Sequence, residues 1–381
     1  MHDQAFRAAA AALIVLAGLG TVQAQQVVRI GHAGPTTGPI AHLGKDSENG
    51  ARLAIDALNA KGVVIGGQPV RFALQAEDDG ADPRQGASVA QKLVDAKVNG
   101  VVGHFNSGVS IPAARIYANA GIAQVSPAAT SPKYTQQGLP TTFRVVANDV
   151  QIGRALARHA AQQLHARRIA VIDDRTAYGQ GLADEFTKAI RTHPGISVVS
   201  QQYTTDRATD FSAILTAIKA TAPQVIFYGG MDAVAGPLLR QMRQLGIDAT
   251  LVGGGGICND ALPGLAGGSI ADDRVVCALP GGVEPDRAAD LDAFKRAYRK
   301  QFGTDVLWVA AYAHDAVMVL VDAMQRAGTT APDKYLPALA RSRYQGSTGL
   351  LAFDEHGDLR DAAVTLYVFR GGARNQIGII R

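Results

Sequence analysis

A small anion would find hydrogen-bond donors at two places in this chain. The stretch Gly100-Val101-Val102-Gly103-His104-Phe105-Asn106-Ser107-Gly108 runs from apolar into small polar residues, and Ser126-Pro127-Ala128-Ala129-Thr130-Ser131-Pro132 does the same shortly afterwards. Each reads as a buried strand whose carboxyl end leaves backbone N–H groups and hydroxyls unused. A helix predicted to start near Ser110 turns its amides and the positive end of its dipole toward Asn106 and Ser107. That suits a carboxylate. Neither stretch pairs a nucleophile with a base, so the chemistry implied is capture rather than conversion, and no enzyme is expected.

Two later strand ends offer the opposite wall. Asp173-Asp174-Arg175-Thr176-Ala177-Tyr178-Gly179-Gln180-Gly181 lies where an open α/β sheet places its ligands, with Tyr178 able to close over a bound molecule. Phe227-Tyr228-Gly229-Gly230-Met231-Asp232 offers apolar surface from Met231 and a negative charge from Asp232, which is equally suited to capping a helix that begins at Ala233. The run Gly253-Gly254-Gly255-Gly256 follows an apolar strand end as a dinucleotide loop would, but the third glycine of that fingerprint falls on Cys258. No cofactor is expected. The nine histidines are scattered, with no helical metal spacing, and His104 reads as a packing residue with one ring nitrogen hydrogen-bonded. No metal site is expected either.

These walls need a scaffold. At 381 residues the chain exceeds one ordinary domain, so two lobes are expected; the net charge of +4 is spread without a basic block, which argues against nucleic-acid binding. Residues 1–24 read as an export signal, with Arg7 before a short apolar run and Val22-Gln23-Ala24 as the cleavage site, leaving a mature chain from Gln25. Export to an oxidising compartment pairs the only two cysteines, Cys258 and Cys277, as a local disulfide. The pattern predicts strands over 27–33 and 70–75 and helices over 45–60 and 83–97, the latter with Asp82 as N-cap and Pro83 at its first position. The alternation restarts after residue 146, and this is an α/β protein with two doubly wound, Rossmann-like lobes. Strands over 275–279, 349–353 and 364–369 and helices over 286–302 and 307–326 are expected to cross back and complete both sheets. Lobe 1 then comprises 25–147 plus 279–350, and lobe 2 comprises 148–278 plus 351–381. Trp308 and His314 read as core residues of the last apolar helix.

In this order, the opening Gly34-Pro35 turn, Gly103-His104 with Ser107, Pro127-Ala128-Ala129-Thr130, Tyr178-Gly179-Gln180-Gly181 and Tyr228-Gly229-Gly230 resemble the periplasmic Leu/Ile/Val-binding proteins of ABC transporters. The resemblance spans essentially the whole mature chain. It implies a type I periplasmic binding protein whose lobes, joined by three hinge strands, close on a free amino acid and deliver it to a membrane permease. It further implies a monomer. Ser107 and Thr130 would hold the α-carboxylate, the Ala128 carbonyl beside Ala129 would face the α-ammonium, Tyr178 would reach across from the other lobe, and Phe105 and Asn106 would line the site. The sequence departs from the pattern twice: Gly255 stands where the family usually has an acidic partner for the ammonium, and Met231 where many members have an aromatic. Either Asp232 takes over the charge, or the ligand is a carboxylic acid or amide without an ammonium.

Overall fold

A computed structural model describes residues 25–283 and 288–381; the predicted export signal over 1–24 and the predicted helix start at Asp286 lie outside them. In chain order, the first unit is β1 (Gln26–Gly34), α1 (Ala41–Lys61), β2 (Val64–Ile65), β3 (Gln68–Asp78), α2 (Pro83–Asp95), β4 (Gly100–Gly103), α3 (Ser107–Asn119), β5 (Gln124–Ser126) and β6 (Thr142–Arg144). Short apolar strands alternate with amphipathic helices, which demands a parallel sheet covered on both faces. The sheet runs β2-β3-β1-β4-β5-β6, parallel except for the β2–β3 hairpin. Its order reverses at β1, so the crevice beyond the carboxyl ends of β1 and β4 lies at a switch point. Asp82 caps α2 as its sequence predicts, accepting the N–H groups of Arg84 and Gln85.

A second unit repeats the scheme: α4 (Asp149–Gln162), β7 (Arg168–Asp173), α5 (Ala177–Ile190), β8 (Ser197–Tyr203), α6 (Ser212–Ala220), β9 (Val225–Gly229), α7 (Asp232–Gln244), β10 (Thr250–Gly253), α8 (Leu262–Leu265) and β11 (Val275–Leu279). The chain continues through α9 (Ala288–Phe302), α10 (Val309–Ala327), α11 (Pro332–Ala340), the hairpin β12 (Arg343–Gly346) and β13 (Gly349–Ala352), and finally β14 (Val364–Arg370) and β15 (Ala373–Ile380). The second sheet runs β15-β14-β11-β10-β9-β7-β8, with β14 and β15 antiparallel at one edge. The last third therefore does not complete both sheets. Among the described residues, β11, β14 and β15 alone join a main sheet, the second one, while β12 and β13 pair apart; α10 instead packs on α1, β4 and β5 as cover for the first. The physical reason lies in α10 itself, whose apolar residues recur around most of its surface, so that it is buried between layers.

The chain passes between the two sheets near residues 145–148, from 279 onward, and near 353–363. These passages lie side by side: the Ala147 N–H donates to the Pro280 carbonyl (2.9 Å) and the Arg144 N–H to the Gly357 carbonyl (3.0 Å). Cys258, just beyond β10, is disulfide-bonded to Cys277 on β11, and both are fully buried. Closing a loop of 19 residues restricts the unfolded chain, a stabilisation of about 3 kcal/mol. It also ties down the loop Gly253–Gly256 from its far side.

Candidate ligand-binding site

On the first sheet the two strand ends are bolted together through His104. Its carbonyl accepts the hydroxyls of Ser110 (3.0 Å) and Ser126 (2.9 Å). Its ring is buried, with Nδ1 on Asp79 (2.7 Å) and Nε2 on the Tyr117 hydroxyl (3.1 Å), so both ring nitrogens serve packing. α3 begins at Ser107, three residues earlier than predicted, because Asn106 is extended (φ −79°, ψ 136°) and serves as N-cap position. The Asn106 side chain makes no capping bond, and its Oδ1 is buried without a partner among the described residues. The N–H groups of Val109 (3.0 Å) and Ser110 (2.8 Å) donate to the Asn106 carbonyl, which leaves those of Ser107 and Gly108 without an acceptor in the helix. Ser107 Oγ accepts the Ser131 N–H (3.2 Å), which leaves its own proton to donate. Thr130 sits between two carbonyls, of Ala129 and Ser131, that the buried Arg144 guanidinium holds at 2.8 and 2.9 Å.

The facing wall is built on α5. Thr176 caps it, accepting the Gly179 N–H (2.9 Å), and is itself fixed by Asp174 (2.6 Å). A Cβ on Gly229 would meet the Gly179 carbonyl at 2.1 Å, so glycine is required where α5 crosses the end of β9. This close crossing seats Tyr178 inward. Its hydroxyl accepts the Gly256 N–H (3.1 Å), keeping a proton free for a ligand. Burial, reinforced by the nearby Asp149 carboxyl, holds the phenol above its ordinary range, so it remains a neutral donor.

Between these walls lies a cavity lined by Phe105, Asn106, Ser107, Ala128, Thr130 and Tyr178, and closed by Met231, Gly255, Gly256, Pro280 and Trp308. The space open to the centre of a water is ≈ 20 Å³, room for about one, so the lobes are closed. Three polar atoms of its lining are buried without a partner among the described residues: Asn106 Oδ1, Thr130 Oγ1 and Trp308 Nε1. Buried groups of this kind call for a hydrogen-bonding ligand or solvent.

Seven of the nine residues singled out in the sequence thus line one cavity. Ala129 does not, its side chain being wholly buried behind the loop. Nor does Asp232. Its carboxylate is fully buried, with Oδ2 on His42 Nε2 (2.7 Å) and Oδ1 accepting the Ala233 N–H (2.8 Å). The charge read as facing the cleft is therefore spent between α1 and α7. Trp308 and Pro280 were not singled out. Trp308 occupies the N-cap position of α10 rather than its interior, and a lone tryptophan at a helix start, with an N–H to satisfy, was the available signal. Pro280 leaves no sequence signal.

The model of a family described as periplasmic binding protein matches residues 27–373. A Leu/Ile/Val-binding protein homologue of Brucella abortus is 35% identical over 389 residues, covering 100% of both chains. The chain belongs to the periplasmic binding protein family. A leucine-, isoleucine-, valine-, threonine- and alanine-binding protein of Pseudomonas aeruginosa is 34% identical, covering 93% of this chain and 94% of its own. Among solved structures, a branched-chain amino acid transporter substrate-binding protein of Streptococcus pneumoniae, in complex with isoleucine, superposes with a TM-score of 0.83. That pair shares 25% identity and covers 93% of this chain and 99% of the other. The doubly wound lobes described above are those of a type I periplasmic binding protein, a family of substrate receptors rather than of enzymes.

Within this periplasmic binding protein, the glycine at 255 is not imposed by the backbone, because its φ is not in the left-handed region. A Cβ there would meet Pro280 Cδ at 3.3 Å and Trp308 Cζ2 at 3.7 Å, a fit needing only a small shift. Among the described residues, the cavity lining holds no acidic side chain.

Behind Thr130 lies Asp149, fully buried, with neither carboxylate oxygen in a hydrogen bond among the described residues. Burial raises its pKa to about 7, opposed by the neighbouring Thr130 hydroxyl and the Arg144 charge. The folded protein therefore holds this proton more tightly than the unfolded chain, and stability falls as pH rises from about 4 to about 7. Asp149→Asn removes the titration. Urea denaturation should show the variant more stable than the parent by about 2–4 kcal/mol at pH 8, with the gap closing toward pH 4.

Proposed function

We propose that the protein is an exported, monomeric receptor of an ABC importer that captures a small aliphatic amino acid of the leucine type and delivers it to a membrane permease. The observation that carries this reading is the closed cavity between the strand ends of two sheets. It combines free donors at Ser107, Tyr178 and the first turn of α3 with an apolar wall of Phe105, Ala128, Met231, Pro280 and Trp308. The ligand carboxylate lies against Ser107, Thr130 and the amides beside Asn106; Tyr178 completes the site from the second lobe. A leucine-sized molecule exceeds the closed space, so the lobes part to admit it and the adaptable Met231 side chain makes way on closure. Cleavage before Gln25 and the lobe division 25–147 plus 279–350 against 148–278 plus 351–381 belong to the same proposal. The lobe division is supported by the end of the first sheet at Arg144 and by the three adjacent passages of the chain.

A second reading is favoured by Gly255. A buried ammonium without a carboxylate is costly, and Asp232 is already paired with His42. On this reading the ligand is a carboxylic acid or amide lacking the α-ammonium.

Calorimetric titration of the mature protein with L-leucine and with 4-methylpentanoate, its desamino analogue, separates the two. Tighter leucine binding supports the first reading, tighter binding of the analogue the second, and no heat with either removes both. Ser107→Ala should weaken the preferred ligand by about 1–3 kcal/mol, the range for hydrogen bonds to a charged group. Gly255→Asp should shift preference toward leucine by about tenfold or more, since it supplies the missing counter-charge.

A further inference from the structure

We propose that His42 and Asp232 form a closure latch, two positioning residues that set ligand affinity by holding the lobes together without touching the ligand. The inference rests on the reading of the cavity as a binding site.

His42 lies in the first turn of α1, which covers the first sheet; Asp232 opens α7, between two strands of the second. The residues are 190 positions apart, yet Nε2 and Oδ2 meet at 2.7 Å. The acidic half is fixed on its own lobe, with Oδ1 on the Ala233 N–H and the Asp232 N–H donating to the Gly256 carbonyl (2.9 Å). Gly256 itself lines the cavity and donates to Tyr178. The basic half sits at the rim, its side chain 29% exposed against 0% for Asp232. Parting the lobes must pull these two helix starts apart, losing the bond and exposing the carboxylate. The pair therefore exists only in the closed arrangement. A contact made in one of two conformations multiplies into the apparent affinity of any ligand that binds that conformation. Its loss appears mainly as faster dissociation, because a ligand enters the open form, where the pair is already broken.

Stopped-flow and calorimetric titrations of the parent, His42→Ala, His42→Gln and Asp232→Asn, each with L-leucine and 4-methylpentanoate, test this. The single tryptophan, Trp308, reports from the cavity wall. His42→Ala should bind the preferred probe about tenfold more weakly, with dissociation accelerated by a similar factor, association within about twofold, and ligand-free melting nearly unchanged. His42→Gln, which restores a donor, should recover most of the loss. Asp232→Asn, which keeps an oxygen for Ala233, should weaken binding in the same direction, and its combination with His42→Ala should add little. Affinity and dissociation within twofold of the parent in both single variants would overturn the latch while leaving the binding site intact. If the parent binds neither probe, the proposed ligand class fails instead, and the same comparison is made with whichever free amino acid or small carboxylic acid most raises the parent's melting temperature, judged by the same twofold limit.

Discussion

Arg144→Met should cost about 3–5 kcal/mol of stability and abolish ligand binding in the molecules that remain folded. The guanidinium is completely buried at the end of β6, an expensive place for a charge unless every donor is used. It pairs through Nε with Asp358, near the last passage between the lobes, and through Nη1 with the Ala129 carbonyl. Nη2 serves the Ser131 carbonyl and the Thr135 hydroxyl, the latter at 2.7 Å. Removing the cation strands these acceptors and leaves a mostly buried carboxylate supported, among the described residues, by the Asn148 side chain alone (3.1 Å). Because the two carbonyls flank Thr130, the loop that presents its hydroxyl to the cavity loses its anchor in the same step. Urea denaturation followed by circular dichroism measures the first effect and calorimetric titration the second. Arg144→Lys should rescue little, since an ammonium cannot reproduce the planar fork that reaches four acceptors.

The parts of this molecule governed by local pattern were readable from the chain. Asp82-Pro83 announces α2 because a cap and a proline at the first helical position satisfy and pre-shape the same turn. The strand ends at Asn106–Ser107 and Ala128–Thr130 stand out because small polar residues follow wholly apolar strands. What failed to show was set by distant partners. Asp232 reads from its neighbours as either a cleft charge or a cap, and only the fold brings His42 to it from α1. β15 escaped notice because it is a partly exposed edge strand whose polar residues form no clean alternation. Trp308 follows the same rule: its sequence neighbours are apolar, whereas its position is decided by a carboxylate on another helix.

That carboxylate is Asp46, and its removal should rank with the loss of Arg144. Trp308, at the N-cap position of α10, has no side-chain cap to offer, so the first N–H groups of a buried helix depend on α1. Asp46 Oδ1 accepts the Tyr298 hydroxyl (2.9 Å) and the Leu307 N–H (3.2 Å), and Oδ2 accepts the N–H groups of Trp308 (3.2 Å) and Ala310 (3.0 Å). The approach is close enough that a Cβ on Gly50 would strike the Ala310 carbonyl at 2.0 Å, so water has little room to replace the lost oxygens. Burial raises the Asp46 pKa while these four donors pull it back, so the site tolerates a charge only because it is saturated with donors. Asp46→Ala should therefore cost about 3–5 kcal/mol, several orphaned buried donors together, whereas Asp46→Asn, which keeps one acceptor oxygen, should cost about 1–2 kcal/mol. The two variants also separate anchoring from general destabilisation. Since α10 carries Trp308 into the cavity wall, the alanine variant should show a red-shifted tryptophan emission and weakened ligand binding at temperatures where it is still folded, and the asparagine variant should show neither to the same degree. A normal emission spectrum and unaltered affinity in folded Asp46→Ala would mean that the cavity wall holds its shape without this carboxylate.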